Sequence, residues 1–587
     1  MKQFALSASG FKGYTSNATH AGVDQLAPPS VNTLVDTDGS ATSRLGYENT
    51  GWDLSNANEA HTTFYMRTYD ITFFAGGTKV YYIDHGRSNT VVDTGLSLTD
   101  GTTTRFAEYA GDVYLTNQTD GLRRIVVMRL NDAAATSGDA NVTVDVDGAA
   151  RLSVFGINGS GDLRINGTAE AYNAVTVSTG VITLVGTLSA TYADNAIAIR
   201  VHDISSTREK FSKLTFWRER MTGIGAVSST NADQPNANVF FSKFATAAVL
   251  ENIIDFTFGA GGSTMELVGK SGINTNILDT EDYLYVFKEK ATYIINTSDV
   301  TVSSGASIPN LRSPVHGCLN EDCAVDMGNG EIAFITNDKR FMRVKISTDS
   351  GAPVVFPDES FDVDLREDLK NMDKDQTGAL TFYHSGKRRA IFQVKVDGGW
   401  TTFVFDNNIR AWQPPQEGKY FRSYFERDGL LYATSATDDT IYLIDSTYSD
   451  DGAAIEHKAA TGVFDVDDAR LSRLEAKGTI SPQTTLNFRI PVNNADLTTV
   501  SPKSIVGANF SYPLGGSLGS SSLGSTTIAG DASAEQIAEW KKRFDVWPND
   551  ANRTQIVASS FGDGSRWKWK SYALIGKKHS QSLTPLS

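Results

Sequence analysis

Cysteine is almost absent from the 587 residues: only Cys318 and Cys323 occur. Two thiols spaced C-x4-C are too few for a disulfide framework and lack the second half of a zinc site, so they read as reduced thiols. Long apolar runs are missing too. The best is about Ile125 to Met128, far short of the roughly 20 apolar residues that a spanning helix requires, which predicts a soluble protein with no membrane span. Met1 to Ser7 is followed closely by Gly and Lys without the apolar core of a secretory signal, so classical export is not expected. Positive charge is in deficit, with 53 Lys and Arg against 68 Asp and Glu, a formal charge of -15. Binding DNA tightly by phosphate neutralisation needs clustered Lys and Arg and is disfavoured. An acidic surface suits a conduit past which DNA slides, and equally an ordinary soluble surface.

What is present is a chain long enough for three or four domains. Hydrophobic residues make up 40% and charged residues 21%, so most of it can fold. One format recurs: an alternating strand containing Tyr or Phe, a polar turn, then a second strand. It is found at 78–84, 111–125, 282–296, 330–344, 389–406, with Asp397-Gly398 at the turn, and 429–445, with Asp438-Asp439. Repeated hairpins of this size predict the blades of a β-propeller, with a generic antiparallel sandwich as the alternative.

Residues 131–205 break the format. Tyr and Phe thin out, and short strands such as Val142 to Val146, Val181 to Val185 and Ala196 to Ile199 alternate with Gly- and Asn-rich turns. This predicts a small inserted β-sandwich of roughly immunoglobulin type. A C-terminal β domain is expected over 468–587, with Gly515 to Ser525 as a flexible loop. Ser533 and Gln536 form a capping-box signal ahead of Ile537, Trp540 and Phe544, which predicts one short amphipathic helix. The expected architecture is mainly β: an N-terminal segment and first blades over 1–130, the inserted sandwich over 131–205, the remaining blades over 206–467, and the C-terminal domain.

Motifs that could carry chemistry are few. Asp373 to Gly378 resembles half a calcium loop, but His384 stands where the closing Glu should be, so a turn is expected. His316 lies near Cys318 without forming a recognisable nucleophilic motif. Glu321/Asp322 and Asp438/Asp439 are paired carboxylates that turn chemistry alone explains. Arg566, Lys568 and Lys570 alternate with Trp567 and Trp569, which reads either as a nucleic-acid surface or as an edge strand guarded by lysine. Trp400 and Trp412 would be the exposed aromatics of a carbohydrate-binding propeller. No catalytic, cofactor-binding or metal-ligating residue is assigned, and the chain is read as a non-enzyme.

Several phrases occur in an order that resembles phage tail nozzle and hub proteins and the packaged-DNA stabilisation proteins of short-tailed phages. They are Ala27-Pro28-Pro29, Leu34 to Gly39, Ser43-Arg44-Leu45-Gly46-Tyr47, Glu219 to Ile224 with Asn238 to Ser242, Tyr285 to Ile294, Ser313 to Cys323 before Gly328-Asn329-Gly330, and Ser423-Tyr424-Phe425 before Leu431-Tyr432. The likeness spans most of the chain outside the insertion. It implies a β-propeller assembled as a cyclic homo-oligomer, commonly a hexamer, on the tail axis of a virion. Such a protein is assembled in the host cytoplasm and contacts adaptor, portal or fibre proteins. It conducts or retains double-stranded DNA without reading its sequence and needs no cofactor. An adhesive, carbohydrate-binding propeller is the alternative.

Overall fold

The computed structural model describes residues 3–578 except 20, 54–59, 100, 133–134, 155–156, 158, 205–209, 228–234, 246–249, 257–261, 268–271, 281–282, 297–309, 314, 329, 348–353, 419, 494, 510–536, 547–549 and 563–564. Among the described residues, seven antiparallel blades succeed one another around an axis. Blade 1 runs from Ala60–Met66 through Ile71–Gly76 and Lys79–Asp84 to Ser88–Ser97. Blade 2 contains Arg105–Tyr109, Asp112–Thr116 and Arg123–Arg129 and takes Ile197–Asp203 as its fourth strand. Blades 3 to 6 open on Lys213–Trp217, Asn274–Asp279, Ala324–Asp326 and Leu380–His384. Blade 7 has only three strands in sequence order, Phe421–Arg427, Leu430–Ser435 and Thr440–Ile444; its fourth is Tyr47–Asp53, from the other end of the chain. The first strands of successive blades contact one another all the way round, Phe421–Arg427 meeting Ala60–Met66, so the ring is closed.

The recurring hairpins are the middle strands of these blades. At the blade 6 turn, Asp397 and Gly398 adopt φ of 50° and 80°, the paired left-handed geometry of a two-residue hairpin. A blade lies between two neighbours, so both faces of its middle strands are covered: Ile71–Gly76, Asp112–Thr116 and Ile332–Ile335 are buried at every position. The apolar clusters are accordingly layers between blades. Phe73 and Tyr82 of blade 1 pack with Val113, Ile125 and Val127 of blade 2, and Phe74 and Tyr81 pack with Phe425 and Tyr432 of blade 7.

The inserted module corrects two expectations. It begins after Arg129 and ends before Ile197, because Ile197–Asp203 belongs to blade 2. It is also not a two-sheet sandwich. Its strands Gly161–Ile165, Thr168–Thr176, Val181–Leu184 and Asn141–Thr143 continue the blade 2 sheet beyond Ile197–Asp203. The sheet then rolls back on itself, since Leu130 bridges Val144 and the Asn131 amide donates to the Thr143 carbonyl at 2.9 Å. The roll encloses Met128, Val142, Leu163, Ile165, Tyr172 and Ile182. Helix Val146–Val154 covers it, where the sequence reading carried a strand as far as Val146. Asp145 explains the change: its carboxylate accepts from the Gly148 amide at 2.5 Å and so caps the first turn.

An ion triad fixes this barrel to its blade. Asp112, 2% exposed, accepts from Arg124 of the same blade and from Arg151 Nε of the helix at 2.8 Å, and Arg124 is 0% exposed.

The chain ends form the remaining domain together. Gln3–Ala8, Thr33–Val35 and Ala41–Ser43 join Phe464–Ile480, Ala538–Asp545, Asp550–Thr554 and Trp567–Lys578 in a seven-stranded sheet. Leu26–Val31 pairs with Ala453–Thr461 in the sheet that continues from blade 7, and Leu26, Leu474, Phe488, Trp540, Trp567 and Trp569 share one core. Among the described residues the domain therefore draws on 3–46 and about 449–578, beyond the expected 468–587. The expected helix is replaced by strand Ala538–Asp545. Trp540 and Phe544 are four residues apart, which fits one face of a helix and also one face of a strand; pairing with Phe464–Ile480 over eight residues decides for the strand. Ser533, Gln536 and Gly515 to Ser525 lie outside the described residues.

Replacing Asp112 with Ala strands two buried guanidinium groups, which should cost about 3–5 kcal/mol of stability. Thermal or urea unfolding of the purified variant measures it, and a loss under about 1 kcal/mol would mean the triad does not anchor the barrel.

Candidate functional site

Two places concentrate polar chemistry: the axial mouth at which the first strands of the blades begin, and the joint between propeller and chain-end domain. At the mouth, segment 318–323 between blades 4 and 5 reaches across to other blades. Lys213 Nζ of blade 3 donates to the Glu321 carbonyl at 2.8 Å and to Asn276 Oδ1 of blade 4 at 2.7 Å. Asn276 Nδ2 donates to the carbonyls of Asn320 and Glu321, both at 2.9 Å. Arg105 Nη2 of blade 2 pairs with Asp322 Oδ2 at 2.6 Å, and the Thr381 amide of blade 6 donates to the Asp322 carbonyl at 2.8 Å. The segment is thus tied to blades 2, 3 and 6 as well as to the two blades it connects.

The electrostatics of the mouth follow from burial. Lys213 is held below the ordinary ammonium value by loss of solvent. His61 is pushed down to about 3 by burial and by the nearby Arg105 and Arg422 guanidinium groups. Its Nε2 accepts from the Thr104 amide at 3.2 Å, so the neutral ring serves as an acceptor. Both cysteines belong to this segment and are free and buried. Cys318 Sγ donates to the Asn320 carbonyl and Cys323 Sγ to the Ala379 carbonyl, each at 3.2 Å. Burial pushes the Cys318 thiol up to about 12 and Cys323 well above its usual value, so neither is activated as a nucleophile.

The joint is built on Arg44. Its guanidinium meets Asp450 through two hydrogen bonds, 2.8 and 2.6 Å, with the two side chains 7% and 14% exposed. The same group donates from Nε to Asn32 Oδ1 at 2.9 Å and from Nη2 to the Glu417 carbonyl at 3.0 Å, so one side chain links the N-terminal strands, the blade 6–7 connection and the start of the C-terminal strands. Gly46 lies so close to the Ser449 carbonyl that a Cβ would stand 2.0 Å from its oxygen. Tyr47 follows, edge-on to Phe421 at 5.3 Å and Tyr442 at 5.1 Å. Beside the joint is a cleft lined by Arg44, Tyr47, His384, Trp400, Tyr424 and Asp445 among others.

The residues singled out from sequence are distributed as follows. Trp412 is buried and donates to the Phe361 carbonyl at 2.7 Å, so it displays no face to a ligand. Trp400 is half-buried and stacks on Tyr420 at 4.0 Å. Trp567 and Trp569 are fully buried, which removes the stacking surface. Their strand is central, paired with Phe464–Ile480 on one side and with Gln3–Ala8 and Ala41–Ser43 on the other, which also corrects the edge-strand reading. His384 is buried with Nδ1 3.0 Å from Glu426 Oε2, across blades 6 and 7. His316 Nε2 lies 3.4 Å from Glu359 Oε1, apart from the Cys318 contacts. Asp375 receives the Thr377 amide at 3.0 Å and Asp438 the Thr440 amide at 3.0 Å, both as turn acceptors. Among the described residues no group of three or more His, Cys, Asp or Glu is arranged to hold a metal ion.

Arg44 and Asp450 were not foreseen as a pair. A signal existed: blade 7 has three strands in sequence order, while 47–53 is a strand too many before blade 1.

Gly46→Ala should force the joint apart and cost about 3 kcal/mol or more. Limited proteolysis together with a thermal melt tests this, and wild-type resistance would show that the close approach is dispensable. A pH dependence follows from the segment before Leu26–Val31, where the Tyr14 hydroxyl donates to Asp368 Oδ2 at 3.0 Å. Burial pushes Asp368 up to about 6 from 3.8. A carboxyl raised in the folded state favours that state in acid, and the contribution fades as pH climbs from about 4 through about 6. Asp368→Asn should match wild type near pH 4 and exceed its stability near pH 8 in urea titrations. An equal difference at both pH values would remove the assignment.

No family model matches the chain, and no curated protein matches it. Among solved structures, the computationally designed Ika8 protein is 10% identical, with a TM-score of 0.33, covering 67% of this chain and 99% of its own. The β-propeller domain of Cps50 (Swd1) from Myceliophteria thermophila is 8% identical, with a TM-score of 0.35, covering 68% of this chain and 100% of its own.

Proposed function

We propose that the chain is a structural component of a bacteriophage tail or neck, a nozzle, hub or stopper ring, that lines part of the DNA path and helps retain or conduct the genome. The supporting observation is the mouth spanned by 318–323: Lys213, Arg105 and Asn276 are engaged with the chain's own segment, so this end of the axis is filled by protein. Such a propeller serves as a solid wall element. A DNA path then lies in the hole of a ring of such chains, not along the axis of any one of them. Closure into a ring would multiply one interface and create a channel in the same step. The phrase Ser43 to Tyr47, which carries part of the resemblance to tail proteins, sits at the joint that holds the two domains together. The adhesive reading keeps one observation in its favour, the Trp400–Tyr420 stack at the cleft, while Trp412 is withdrawn from it.

Electron microscopy of purified particles should show this chain as a cyclic oligomer, expected to be a hexamer, on the tail axis. Its absence from particles, or its presence only as an isolated monomer, would sink the proposal. Glycan binding that disappears on Trp400→Ala would favour the adhesive reading instead.

A further inference from the structure

The outer face of the chain-end sheet departs from the acidic character of the rest of the chain. Strand pairing places Arg473 and Lys477, Lys541 and Arg543, and Lys568 and Lys570 on three adjacent strands. Their alternating neighbours Leu474, Trp540 and Trp569 fill the core, so the cations occupy the opposite face. Part of this charge is balanced locally: Glu475 pairs with Arg473 at 3.2 Å and Arg543 at 3.0 Å, Glu539 with Lys570 at 3.4 Å, and Asp36 with Lys568 at 2.6 Å. Lys477 and Lys541 are different. They are directly opposed across the two strands, both exposed, and neither forms an ion pair among the described residues. Like charges placed opposite one another destabilise a sheet, and an anionic partner removes that cost.

The same chain carries a complementary surface elsewhere. Residues 131–196 contain seven carboxylates against two bases, Arg151 and Arg164. Asp139, Asp147, Asp162 and Asp194 are exposed, while Arg151 is buried in the triad and Arg164 donates to the Gly167 carbonyl at 3.0 Å. Residues 1–46 and 449–587, by contrast, contain 18 bases and 17 acids. Topology separates the two surfaces. The barrel extends from the outer strand of blade 2, and the chain-end domain from the outer strand of blade 7 and against blade 6. Blade 1 intervenes on one side and blades 3 to 5 on the other, so the surfaces leave the ring from different sectors.

We propose that the cationic sheet face is a docking surface for the acidic barrel of a second copy of this chain, joined head to tail. The inference rests on the ring reading above and specifies its interface. A heterologous contact between two different surfaces generates rings when the rotation closes. Duplex DNA is the less suitable occupant: Glu475 and Glu539 interrupt the cationic face, and Trp567 and Trp569, which could stack on bases, point into the core.

The test uses the full chain, with its oligomeric state measured by analytical ultracentrifugation at low and high salt. The wild type should associate at low salt and dissociate as salt rises. Lys477→Glu with Lys541→Glu should weaken association at least about tenfold with an unchanged thermal melt. Asp139→Lys with Asp162→Lys on the barrel should do the same, and mixing the two variants should restore association between them. Wild-type association unaffected by both double variants overturns the interface and leaves the ring reading intact. A wild type that stays monomeric at every salt concentration overturns both. Duplex DNA binding that requires Lys477 and Lys541, without self-association, assigns the face to nucleic acid and overturns the inference.

Discussion

Everything in this fold depends on one strand crossing from the beginning of the chain to its end. Tyr47–Asp53 supplies the outer strand of blade 7, and the residues just before it are clamped by the Arg44–Asp450 pair. Burying a charged pair adds little net stability when measured against an apolar replacement, but losing one partner is expensive because the other is left buried and unmatched. Arg44 also satisfies Asn32, Leu45 and Glu417, so its hydrogen-bonding groups are shared among three segments distant in sequence. The propeller ring and the chain-end domain close through the same few residues. Neither is complete without the other.

The blades were legible because their signal is local. A hairpin such as 389–406 announces itself by apolar alternation and an Asp-Gly turn, and the backbone obeys. The blades' assembly was less so. Blade 7 borrows its last strand from some four hundred residues away, and no short-range pattern encodes that pairing. In sequence the barrel resembles a separate sandwich because its strands alternate as a sandwich's would; what distinguishes it is the continuation of the blade 2 hydrogen bonds, a property of neighbours and not of composition. At Trp540 and Phe544 a four-residue spacing fitted two periods, and tertiary pairing chose between them.

The polar residues show a similar division. Asp375 and Asp438 were readable as turn acceptors because an Asx turn is completed within two residues. Trp567 and Trp569 were readable as one face of a strand, but whether that face meets solvent or core depends on which sheets cover it. The mouth contacts of Lys213, Asn276 and Arg105 escaped notice because each is an ordinary polar residue near the start of a strand, and only closing the ring brings them to segment 318–323.

The borrowed strand also imposes an order on biosynthesis. Residues 47–53 leave the ribosome early and must wait, unpaired at their blade 7 edge, until Thr440–Ile444 has been made. Blades 1 to 6 can stack as they emerge, since each packs on the one before it, whereas ring closure waits for Thr440–Ile444 of blade 7. The waiting strand is short and carries Glu48, Asn49 and Gly51, residue types with low strand propensity that discourage premature pairing with other nascent chains. Blade 7 thus acts as a checkpoint: a product that stops before Thr440–Ile444 keeps an open ring and leaves Arg44 without Asp450.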